Sequence, residues 1–494
     1  MSEKCKGVWS TLAVFCLLTV VEASVVEKLN HRSFPSIFAP WSETLVNKPE
    51  LTFAEMTAYH DLFWSPEFGL RFRKTDDGVE LAGDFEHARK QRDRLLALNP
   101  NMLFLLEINF RGAAPTSWHL KDLYTDDFPW IVGETGEIVL GSPAEFYQDL
   151  LIDFTHPKAQ EIIVGQVFAV YESGLWDGIF FDFWNENSVV LEGYRTYEAE
   201  QQARVNILKG IRDAVGDDFL IIVNKTGKPT RSVPYINGIF MESFRENLAD
   251  YTYEGLKVLE EIQLWVEENL REPQINCLEA EGIGSQLSMS PKNLQGMRCL
   301  TTLSLTHSDG YIVYTMGVQW DEPHPHDRLH LNYQGAAFHA NPPPWIKHRE
   351  HHETYLHTHH HEHYWYEFWD ADLGQPIGEK GKLYDENIGG LFIREFTNGW
   401  AVYNRSGQAQ DIQLPEVTTG FSSGIKEHLH TVPDLDGEIF LRVQTVKIDV
   451  NGDGIVNILD LVIVSNAFGK SKPDLNNDGI VNILDLTLIA KEMR

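Results

Sequence analysis

The most informative segment of the chain is Trp176-Asp-Gly-Ile-Phe-Phe-Asp-Phe-Trp-Asn-Glu-Asn187. Its apolar run, residues 179–183, is too short for a helix and predicts a buried strand that begins after Asp177-Gly178. Asp182 stands at the far end of that strand. A buried strand rarely tolerates a charge, so this carboxylate indicates either a structural ion pair or an active-site group at the mouth of a sheet.

An internal repeat favours the active-site interpretation. Further along the chain, Asn237-Gly-Ile-Phe-Met-Glu-Ser243 has the same kind of turn and the same apolar run, with Glu242 in the place of Asp182. Every strand of a parallel barrel ends on one face, so carboxylates at two matched strand ends point into one shared mouth.

The chain between residues 33 and 321 alternates strand-like apolar runs with helical periodicity. Besides the two strands above, strand candidates cover residues 36–39, 61–64, 102–107, 219–223, 275–278 and 310–314. Helical patterns cover residues 86–98, 159–172, 197–215, 253–270 and 293–305. This alternation, without a Gly-rich phosphate loop, predicts an α/β fold of the (β/α)8 TIM barrel type over residues 33–321.

The start of the chain and its charge bear on location and partners. Residues 1–23 predict a secretory signal peptide, with Lys4 and Lys6 before an apolar run and a small-residue cleavage site. We find no other candidate for a membrane span and expect a secreted, extracellular protein. The formal net charge of -31 argues against nucleic acid or an anionic membrane as a partner and suits divalent cations. A solubilising surface charge explains most of the same excess.

Residues 322–385 predict a histidine-rich insertion or linker. Imidazole at close spacing suits zinc, copper or nickel, whereas a solvated tract that binds metal only adventitiously is the plainer interpretation. No pair of histidines stands in a helical His-Glu-x-x-His frame. Beyond the tract, short strands at 391–396, 400–403, 411–414 and 438–442 predict a small antiparallel β domain over residues 386–445.

The tail contains two loops of one design, which begin at Asp449 and Asp474. Each loop offers oxygen at positions 1, 3, 5, 7, 9 and 12 and glycine at position 6, which is the ligand geometry that calcium needs. The predicted ligands, with the two isoleucines acting through backbone carbonyls, are Asp449, Asn451, Asp453, Ile455, Asn457, Asp460, Asp474, Asn476, Asp478, Ile480, Asn482 and Asp485. Residues 446–494 therefore predict a small all-α module that holds two calcium ions, and we expect no organic cofactor.

This tail resembles a dockerin module, in which paired calcium loops are each followed by a short helix. The resemblance implies a cohesin-like protein partner and attachment to a scaffold, such as one at a cell surface. In dockerins, residues just before loop position 12 help to contact cohesin, and these map here to Ile458-Leu459 and Ile483-Leu484.

The barrel is similar to glycoside-hydrolase-like (β/α)8 proteins. Four places carry the likeness: Asp153-Phe-Thr-His-Pro157, Trp176 to Asp182, the strand with Glu242, and Trp369-Asp-Ala-Asp-Leu-Gly-Gln-Pro376 leading into 396–404. The chitinase pattern fails, because its acidic residue two positions beyond Asp182 is Trp184 here. Polygalactosaminidase-like barrels, with acids on the fourth and sixth strands, are the nearer comparison.

The resemblance implies hydrolysis of glycosidic bonds in a poly- or oligosaccharide by two carboxyl groups, one protonated and one ionised. We assign Asp182 as nucleophile or base and Glu242 as general acid, because Phe240 and Met241 should desolvate the glutamate. Glu279 and Glu281, after the seventh strand, are the reserve acids.

Further residues at strand ends are candidates for substrate binding. Glu107 and Glu186 are expected to bind sugar hydroxyls or to pair with Arg111 or Arg245. Indoles that could stack on sugar rings, or equally pack in the core, are Trp41, Trp64, Trp184 and Trp320.

Two rivals to a hydrolase remain from the sequence. One is a non-catalytic secreted carbohydrate-binding or assembly protein on a barrel scaffold, since this fold hosts many chemistries. The other is a metalloprotein built on the histidine tract. Convergence of Asp182 and Glu242 within about 5 to 10 Å would favour hydrolysis.

Overall fold

A computed structural model describes residues 23–41, 44–64, 68–113, 119–124, 127–139, 150–184, 186–187, 189–243, 251–283, 286–315, 363–443, 448–453, 455–476 and 478–493. The predicted signal peptide, apart from residue 23, and nearly all of the histidine tract lie outside these residues. Trp320, Arg245 and Gly454 also lie outside them.

A parallel eight-stranded sheet forms the centre of the molecule, with its strands hydrogen-bonded in chain order. The strands are β1 Phe38–Ala39, β2 Leu62–Trp64, β3 Leu103–Glu107, β4 Gly178–Phe181, β5 Leu220–Asn224, β6 Gly238–Ser243, β7 Cys277–Glu281 and β8 Tyr311–Thr315. A parallel bridge between Ile37 and Ile312 joins the first strand region to the last, and the N–H of Ile312 donates to Ser36 O at 3.0 Å. The sheet therefore curls into the predicted barrel.

Helices fill most of the connections between barrel strands. Helix α1 Val25–His31 precedes β1, and the connecting helices are α2 Phe53–Ala58, α3 Phe85–Leu98, α4 Pro157–Ser173, α5 Tyr197–Val215, α6 Tyr253–Asn269 and α7 Pro291–His307. Their starts follow ordinary capping chemistry: α7, for example, has Pro291 in its first turn and Ser290 as N-cap, whose side chain accepts from Asn293 N at 3.3 Å. A short hairpin, Arg71–Thr75 with Gly78–Ala82, lies in the connection after β2, and a short antiparallel strand pair, Gly112–Ala113 with Leu150–Leu151, lies in the connection after β3.

The two Asx-Gly turns make the same contacts at the start of their strands. The side chain of Asp177 accepts a hydrogen bond from Phe104 N at 2.9 Å, and that of Asn237 accepts one from Ile221 N at 3.0 Å. Each following glycine then lies against the neighbouring backbone. A Cβ on Gly178 would come within 2.4 Å of Leu220 O, and one on Gly238 within 2.7 Å of Ile275 O. The turns therefore seat each strand against its neighbour, and glycine is required by close approach.

The barrel interior is packed with aromatic rings rather than hollow. Trp64 stacks on Phe180 with ring centroids 4.8 Å apart and on Phe38 at 5.0 Å, and Phe240 meets Trp64 edge-on at 5.0 Å. Trp41 covers this cluster with edge-to-face contacts, including one to Phe240 at 5.6 Å. These rings form a solid floor beneath the carboxyl ends of the strands.

The predicted linker over residues 322–385 is corrected at its C-terminal end. From His363 onwards the described chain packs into the barrel core, where His363, Tyr366 and Trp369 are buried. A 3₁₀ turn covers Glu367–Asp370. The clustered aromatic side chains of this segment have more apolar surface than a solvated linker carries, and they bury it.

The C-terminal antiparallel sheet has five strands in the order β9-β10-β13-β11-β12. They are β9 Leu391–Phe396, β10 Gly399–Asn404, β11 Gln410–Gly420, β12 Lys426–Val432 and β13 Asp436–Arg442. The sequence missed β12, which is an edge strand with mostly exposed polar side chains and little alternation. The sheet packs on α7: Gly437 lies so close to Thr302 that a Cβ would overlap its hydroxyl, and Arg298 pairs with Asp436 at 2.7 Å.

The tail forms two further helices, α8 Ile458–Ser465 and α9 Ile483–Glu492. They share a small core of their own, which includes Val464, Val481 and Ile489. The helices begin near the residues expected from the loop repeat.

Candidate active site

Two carboxylates and one amide meet at the mouth of the barrel. Asp182 follows directly on the last residue of β4, Asn224 ends β5, and Glu242 is the penultimate residue of β6. Asp182 therefore lies one residue beyond its strand, whereas the sequence predicted it at the far end of the strand. All three side chains are half-buried.

The amide of Asn224 connects the two carboxylates. Its Nδ2 donates to Asp182 Oδ1 at 2.7 Å and to Glu242 Oε2 at 3.0 Å. These two oxygens therefore cannot be farther apart than the sum of the two distances, about 5.7 Å. The convergence expected of a hydrolytic pair is present in the structure.

A second donor reaches Asp182 from the backbone. The N–H of Phe183 donates to Oδ1 at 2.8 Å, so that oxygen accepts two hydrogen bonds. Phe183 has a left-handed backbone with φ of 53°, which is uncommon for a bulky residue and turns its N–H back on the carboxylate. Its half-exposed ring lies under the guanidinium of Arg111, whose Cζ is 3.4 Å from the ring centroid.

Trp41 and Glu107, two of the predicted substrate-binding residues, lie together at the mouth. Trp41 Nε1 donates to Glu107 Oε2 at 2.6 Å, and both side chains are half-buried. Trp41 also has edge-to-face contacts with Phe180 and Phe240. Glu107 ends β3, so this hydrogen bond holds Trp41 at the carboxyl end of the barrel. The role of both residues in substrate binding stays a prediction.

The structure disagrees with three other substrate-binding predictions. Trp64 and Trp184 are 0% exposed, so neither ring has a face for a sugar, and core packing describes both. Glu186 is 3% exposed and accepts hydrogen bonds from the N–H groups of Arg231 and Ser232, each at 3.0 Å. It fixes a loop instead of facing the mouth. Trp320 lies outside the described residues.

The reserve acids lie on β7, beside the strand with Glu242. Glu279 is the register partner of Glu242 and is 1% exposed. Burial raises the pKa of Glu279 to about 8, and a hydrogen bond from Thr315 only partly opposes this effect. Glu281 ends β7 and is half-buried, and its backbone N–H and C=O both bond to the Tyr251 hydroxyl, at 2.7 and 2.9 Å.

Asn224 is the site residue that sequence reasoning missed. A signal was available, because Asn224 directly follows the apolar run predicted for the fifth strand, in the place that Asp182 and Glu242 hold on theirs. The prediction covered carboxylates only and therefore missed the amide at the equivalent position.

The predicted metal-ligand residues of the tail form two matching loops. In the first, Asp449 Oδ1 accepts from Gly452 N at 2.7 Å and Asp460 Oδ1 accepts from Val450 N at 2.8 Å. In the second, Asp485 Oδ1 accepts from Leu475 N at 2.6 Å, and Gly479 has φ of 91°, as the sharp turn requires. Asp460 and Asp485 are both fully buried beneath their loops.

The donor set fits a hard cation. Among the described residues, Oδ1 of Asp474 is a buried oxygen with no hydrogen-bond partner, at position 1 of the second loop. Carboxylate, amide and carbonyl oxygens are what calcium prefers. Within the part of the chain that the structure describes, no group of three or more His, Cys, Asp or Glu side chains is drawn together around one point. The acidic side chains alone therefore do not preassemble a closed cage.

Most of the histidine tract lies outside the described residues, but its last histidine does not. His363 is fully buried, and its Nε2 lies 2.9 Å from Nε2 of His60 on the barrel. The segment after the tract is thus anchored by a side-chain contact to the barrel.

A parallel barrel with paired acids at the carboxyl ends of its strands is the architecture of a glycoside-hydrolase-type protein. The family described as hypothetical glycosyl hydrolase family 15 matches residues 127–400, more than half of the chain, and the chain belongs to this family. The dockerin type I domain matches residues 447–494, in agreement with the loops and helices described above.

Several solved structures that are similar to this chain are glycoside hydrolases, each at low identity. A maltogenic alpha-amylase, AmyB from Thermotoga neapolitana, is 11% identical over 82% of this chain and 98% of its own, with a TM-score of 0.42. An alpha-amylase from Geobacillus thermoleovorans is 13% identical over 84% and 99%, with a TM-score of 0.41. The glycoside hydrolase domain of PelA from Pseudomonas aeruginosa is 11% identical over 57% and 94%, with a TM-score of 0.36. Likeness at this level does not extend to substrate or mechanism.

No curated protein sequence matches the chain. Among the residues that the structure describes, no helix has both the length and the apolar character needed to cross a membrane.

Proposed function

We propose that the barrel hydrolyses O-glycosidic bonds of a poly- or oligosaccharide, with Asp182 and Glu242 as the catalytic pair. The observation that carries the proposal is the Asn224 amide, which donates to both carboxylates and brings two of their oxygens within about 5.7 Å. Two carboxyl groups this close, at the strand ends of a barrel, can act on one glycosidic bond.

The hydrogen bonds support different roles for the two acids. Asp182 Oδ1 accepts from the Asn224 amide and from Phe183 N, and both bonds strengthen when the carboxylate carries its charge. This favours Asp182 as nucleophile or base. Glu242 stands two residues beyond the buried Phe240 on β6, so the two side chains leave the strand on the same face. An apolar ring on that face would favour the protonated form of the acid. Glu242 is the proposed proton donor to the leaving oxygen.

Trp41 and Glu107 are the proposed substrate-binding residues. Both are half-buried at the mouth and joined by a hydrogen bond of 2.6 Å, so the indole is held in one orientation. An oriented indole beside two acids offers an apolar face to a sugar ring, and the carboxylate offers acceptors to its hydroxyls.

The tail is proposed to bind two calcium ions, one in each loop, through the twelve residues named above. Calcium-loaded, it would hold the barrel to a cohesin-like protein on an extracellular scaffold, as dockerin type I domains bind cohesins. The apolar pairs that precede loop position 12 are well exposed, at 60% and 55% for Ile458 and Leu459 and at 63% and 55% for Ile483 and Leu484. Exposed apolar pairs of this kind suit a protein partner.

The catalytic proposal is tested by release of reducing ends from a panel of neutral, acidic and amino-sugar glycans. Asp182→Asn and Glu242→Gln should each lower kcat by at least about 10²-fold with an unchanged melting temperature, because the amides keep the shape and remove the proton chemistry. Glu192→Gln, an exposed carboxylate, is the matched control and should leave kcat unchanged. Full activity in both site variants would refute the assignment. Binding of a glycan without any release would support the non-catalytic alternative.

The partner proposal is tested by binding to an immobilised cohesin domain in calcium and in chelator. Leu459→Asp and Leu484→Asp are equivalent changes in the two repeats, since both side chains are 55% exposed. If either repeat can present the contact, each change should weaken binding only partly and the double change should abolish it. Undiminished binding by the double variant would show that these leucines do not contact cohesin.

A further inference from the structure

The ring of Phe183 is exposed where the pattern of its strand would bury it. Side chains alternate along β4: Phe180 stacks on Trp64 inside the barrel with ring centroids 4.8 Å apart, and Phe181 leaves the opposite face, where its ring lies 5.7 Å from that of Phe110. If the strand continued, Phe183 would join Phe181 on that buried side. Instead, Phe183 is 50% exposed.

A left-handed turn brings about this exposure. Phe183 has φ of 53°, which few bulky residues adopt, and the alternation of the strand stops there. Trp184 takes the buried place, with its ring centroid 5.0 Å from Phe181 and 4.9 Å from Phe110. Burial of Trp184 explains the turn but not the phenylalanine, because glycine would make the same turn without strain. The chain therefore keeps a strained, exposed ring that the packing of Trp184 does not require.

Arg111 holds the Phe183 ring in one orientation. Its Cζ lies 3.4 Å from the ring centroid, so the guanidinium covers one face of the ring. The backbone of Arg111 is fixed in turn, since its carbonyl oxygen accepts from Ile152 N at 2.9 Å. With one face covered and half of the side chain exposed, the exposed surface belongs to the opposite face and the ring edge.

This open face lies beside the proposed nucleophile, because Phe183 N donates to Asp182 Oδ1 at 2.8 Å. We propose that Phe183 is a substrate-binding residue whose open ring face stacks on a pyranose ring of the saccharide held at Asp182. The inference rests on the proposed hydrolytic function. A pyranose presents a face of C–H groups, and its burial against an aromatic ring is favourable. Phe183 thus takes the role that the sequence assigned to the buried Trp64 and Trp184.

Binding to a protein that cannot turn over tests this role directly. The background is Asp182→Asn, and the probes in titration calorimetry are hexasaccharides of α-linked glucose, β-linked glucose, galacturonic acid and glucosamine. Adding Phe183→Gly keeps the turn and its N–H but removes the ring, so binding should weaken by about tenfold, as expected when half of a phenylalanine side chain is no longer buried. Adding Phe183→Tyr keeps the ring and should restore the affinity to within about threefold of the background.

Phe168→Ala is the matched control. It removes a ring that is 42% exposed on α4, outside the barrel mouth, and should leave the affinity of the background unchanged. Equal affinity of the background and its Phe183→Gly variant for every probe, including no binding by either, would overturn the inference.

Turnover separates a binding role from a purely structural one. On the glycan that wild type cleaves, Phe183→Gly should raise KM by about tenfold and change kcat by no more than about threefold, because the N–H that donates to Asp182 remains. The melting temperature should not fall, since glycine relieves the strained turn. A lower kcat and a lower melting temperature with unchanged KM would mean that the ring only holds the loop, which contradicts the inference.

The stacking role and hydrolysis can fail separately. If binding of a probe depends on Phe183 but wild type releases no reducing ends, the catalytic proposal is wrong and the stacking role is supported. If wild type and Phe183→Gly release reducing ends with the same KM, hydrolysis is supported and the stacking role is refuted.

Discussion

The side-chain amide of Asn224 donates a hydrogen bond of 2.7 Å to Oδ1 of Asp182, a residue 42 positions earlier in the chain. The same nitrogen donates to Glu242 at 3.0 Å. An amide supplies two donors and no charge, so it sets the spacing of two acids without neutralising either of them. This arrangement leads to the first two predictions.

Asn224→Ala should lower kcat by about 10²-fold while the protein stays folded, because the two acids lose the donor that fixes their spacing. The measurement is kcat on the glycan found by the panel, together with the melting temperature. Asn206→Ala, an exposed asparagine on α5, is the control and should change neither. Unaltered turnover in Asn224→Ala would show that the amide does not position the pair.

Hydrolysis should proceed with retention of the anomeric configuration. Inverting enzymes need carboxyl groups about 6.5–9.5 Å apart to admit a water, whereas retaining enzymes hold them about 5–5.5 Å apart. The bridged oxygens of Asp182 and Glu242, at no more than about 5.7 Å, match the shorter spacing. Proton NMR of the first product formed settles the matter, and an inverted anomer would contradict the assignment of Asp182 as nucleophile.

The buried His60–His363 pair should make the barrel sensitive to acid. Burial, and then the neighbouring His363, lower the pKa of His60 to about 3 from 6.5. The unfolded chain therefore binds a proton that the folded one does not, so stability is fully present above pH 6.5 and falls as pH decreases towards 3. The slope from this residue alone is about 1.4 kcal/mol per pH unit.

Urea unfolding between pH 3 and 7 measures this effect. His60→Gln removes the titrating group and should flatten the acid side of the stability curve, whatever it does to stability at neutral pH. His428→Gln, at an exposed position on β12, should leave the curve unchanged. An acid slope equal to that of wild type in His60→Gln would show that the buried pair does not control acid sensitivity.

Removal of calcium should unfold residues 448–493 and leave the barrel folded. Each loop carries several carboxylate and amide oxygens whose convergence on one ion needs the countercharge of that ion, so the binding free energy of calcium is also folding free energy for this module. In calorimetry a separate transition of the tail should disappear in chelator, with loss of the helical signal from α8 and α9. A tail whose helicity and protease resistance do not change between chelator and millimolar calcium would refute the prediction.

The two loops should bind one ion each. Asp449→Ala and Asp474→Ala should each reduce the calcium stoichiometry from two to one, as measured by titration calorimetry. Asp76→Ala, an exposed residue between the strands of a hairpin, is the control and should leave two. Retention of two ions in either variant would show that the substituted aspartate is not required as a calcium ligand.

Patterns local in sequence determined the architecture. Short apolar runs separated by amphipathic segments, two of them after the Asx-Gly turns at 177 and 237, predicted all eight barrel strands within a few residues of their observed positions. The helix predicted over 197–215 coincides with α5. The calcium loops of the tail could also be predicted, because a calcium loop takes all its ligands from one short segment of the chain. In each case the information lies within a few residues, where periodicity and turn chemistry act.

Burial of the side chains at the strand ends could not be predicted from the sequence, because it depends on the packing of the folded chain. Trp41, Trp64 and Trp184 stand in similar sequence surroundings, yet Trp41 reaches the mouth and the other two are fully enclosed. Glu107 is likewise half-buried at the mouth, whereas Glu186 is buried within a loop. Whether a side chain beyond a strand faces the mouth depends on the loops that pack around it, and these come from distant parts of the chain.

The bridging role of Asn224 also arose only on folding. The sequence determined that acids would end the fourth and sixth strands, because a carboxylate that closes an apolar run is visible in one segment. It could not show that the residue between them would donate to both, since that depends on the register of β4, β5 and β6. Strand register is set by the packing of the whole barrel. The sequence therefore showed which chemical groups end the strands, but it did not show the distances between those groups.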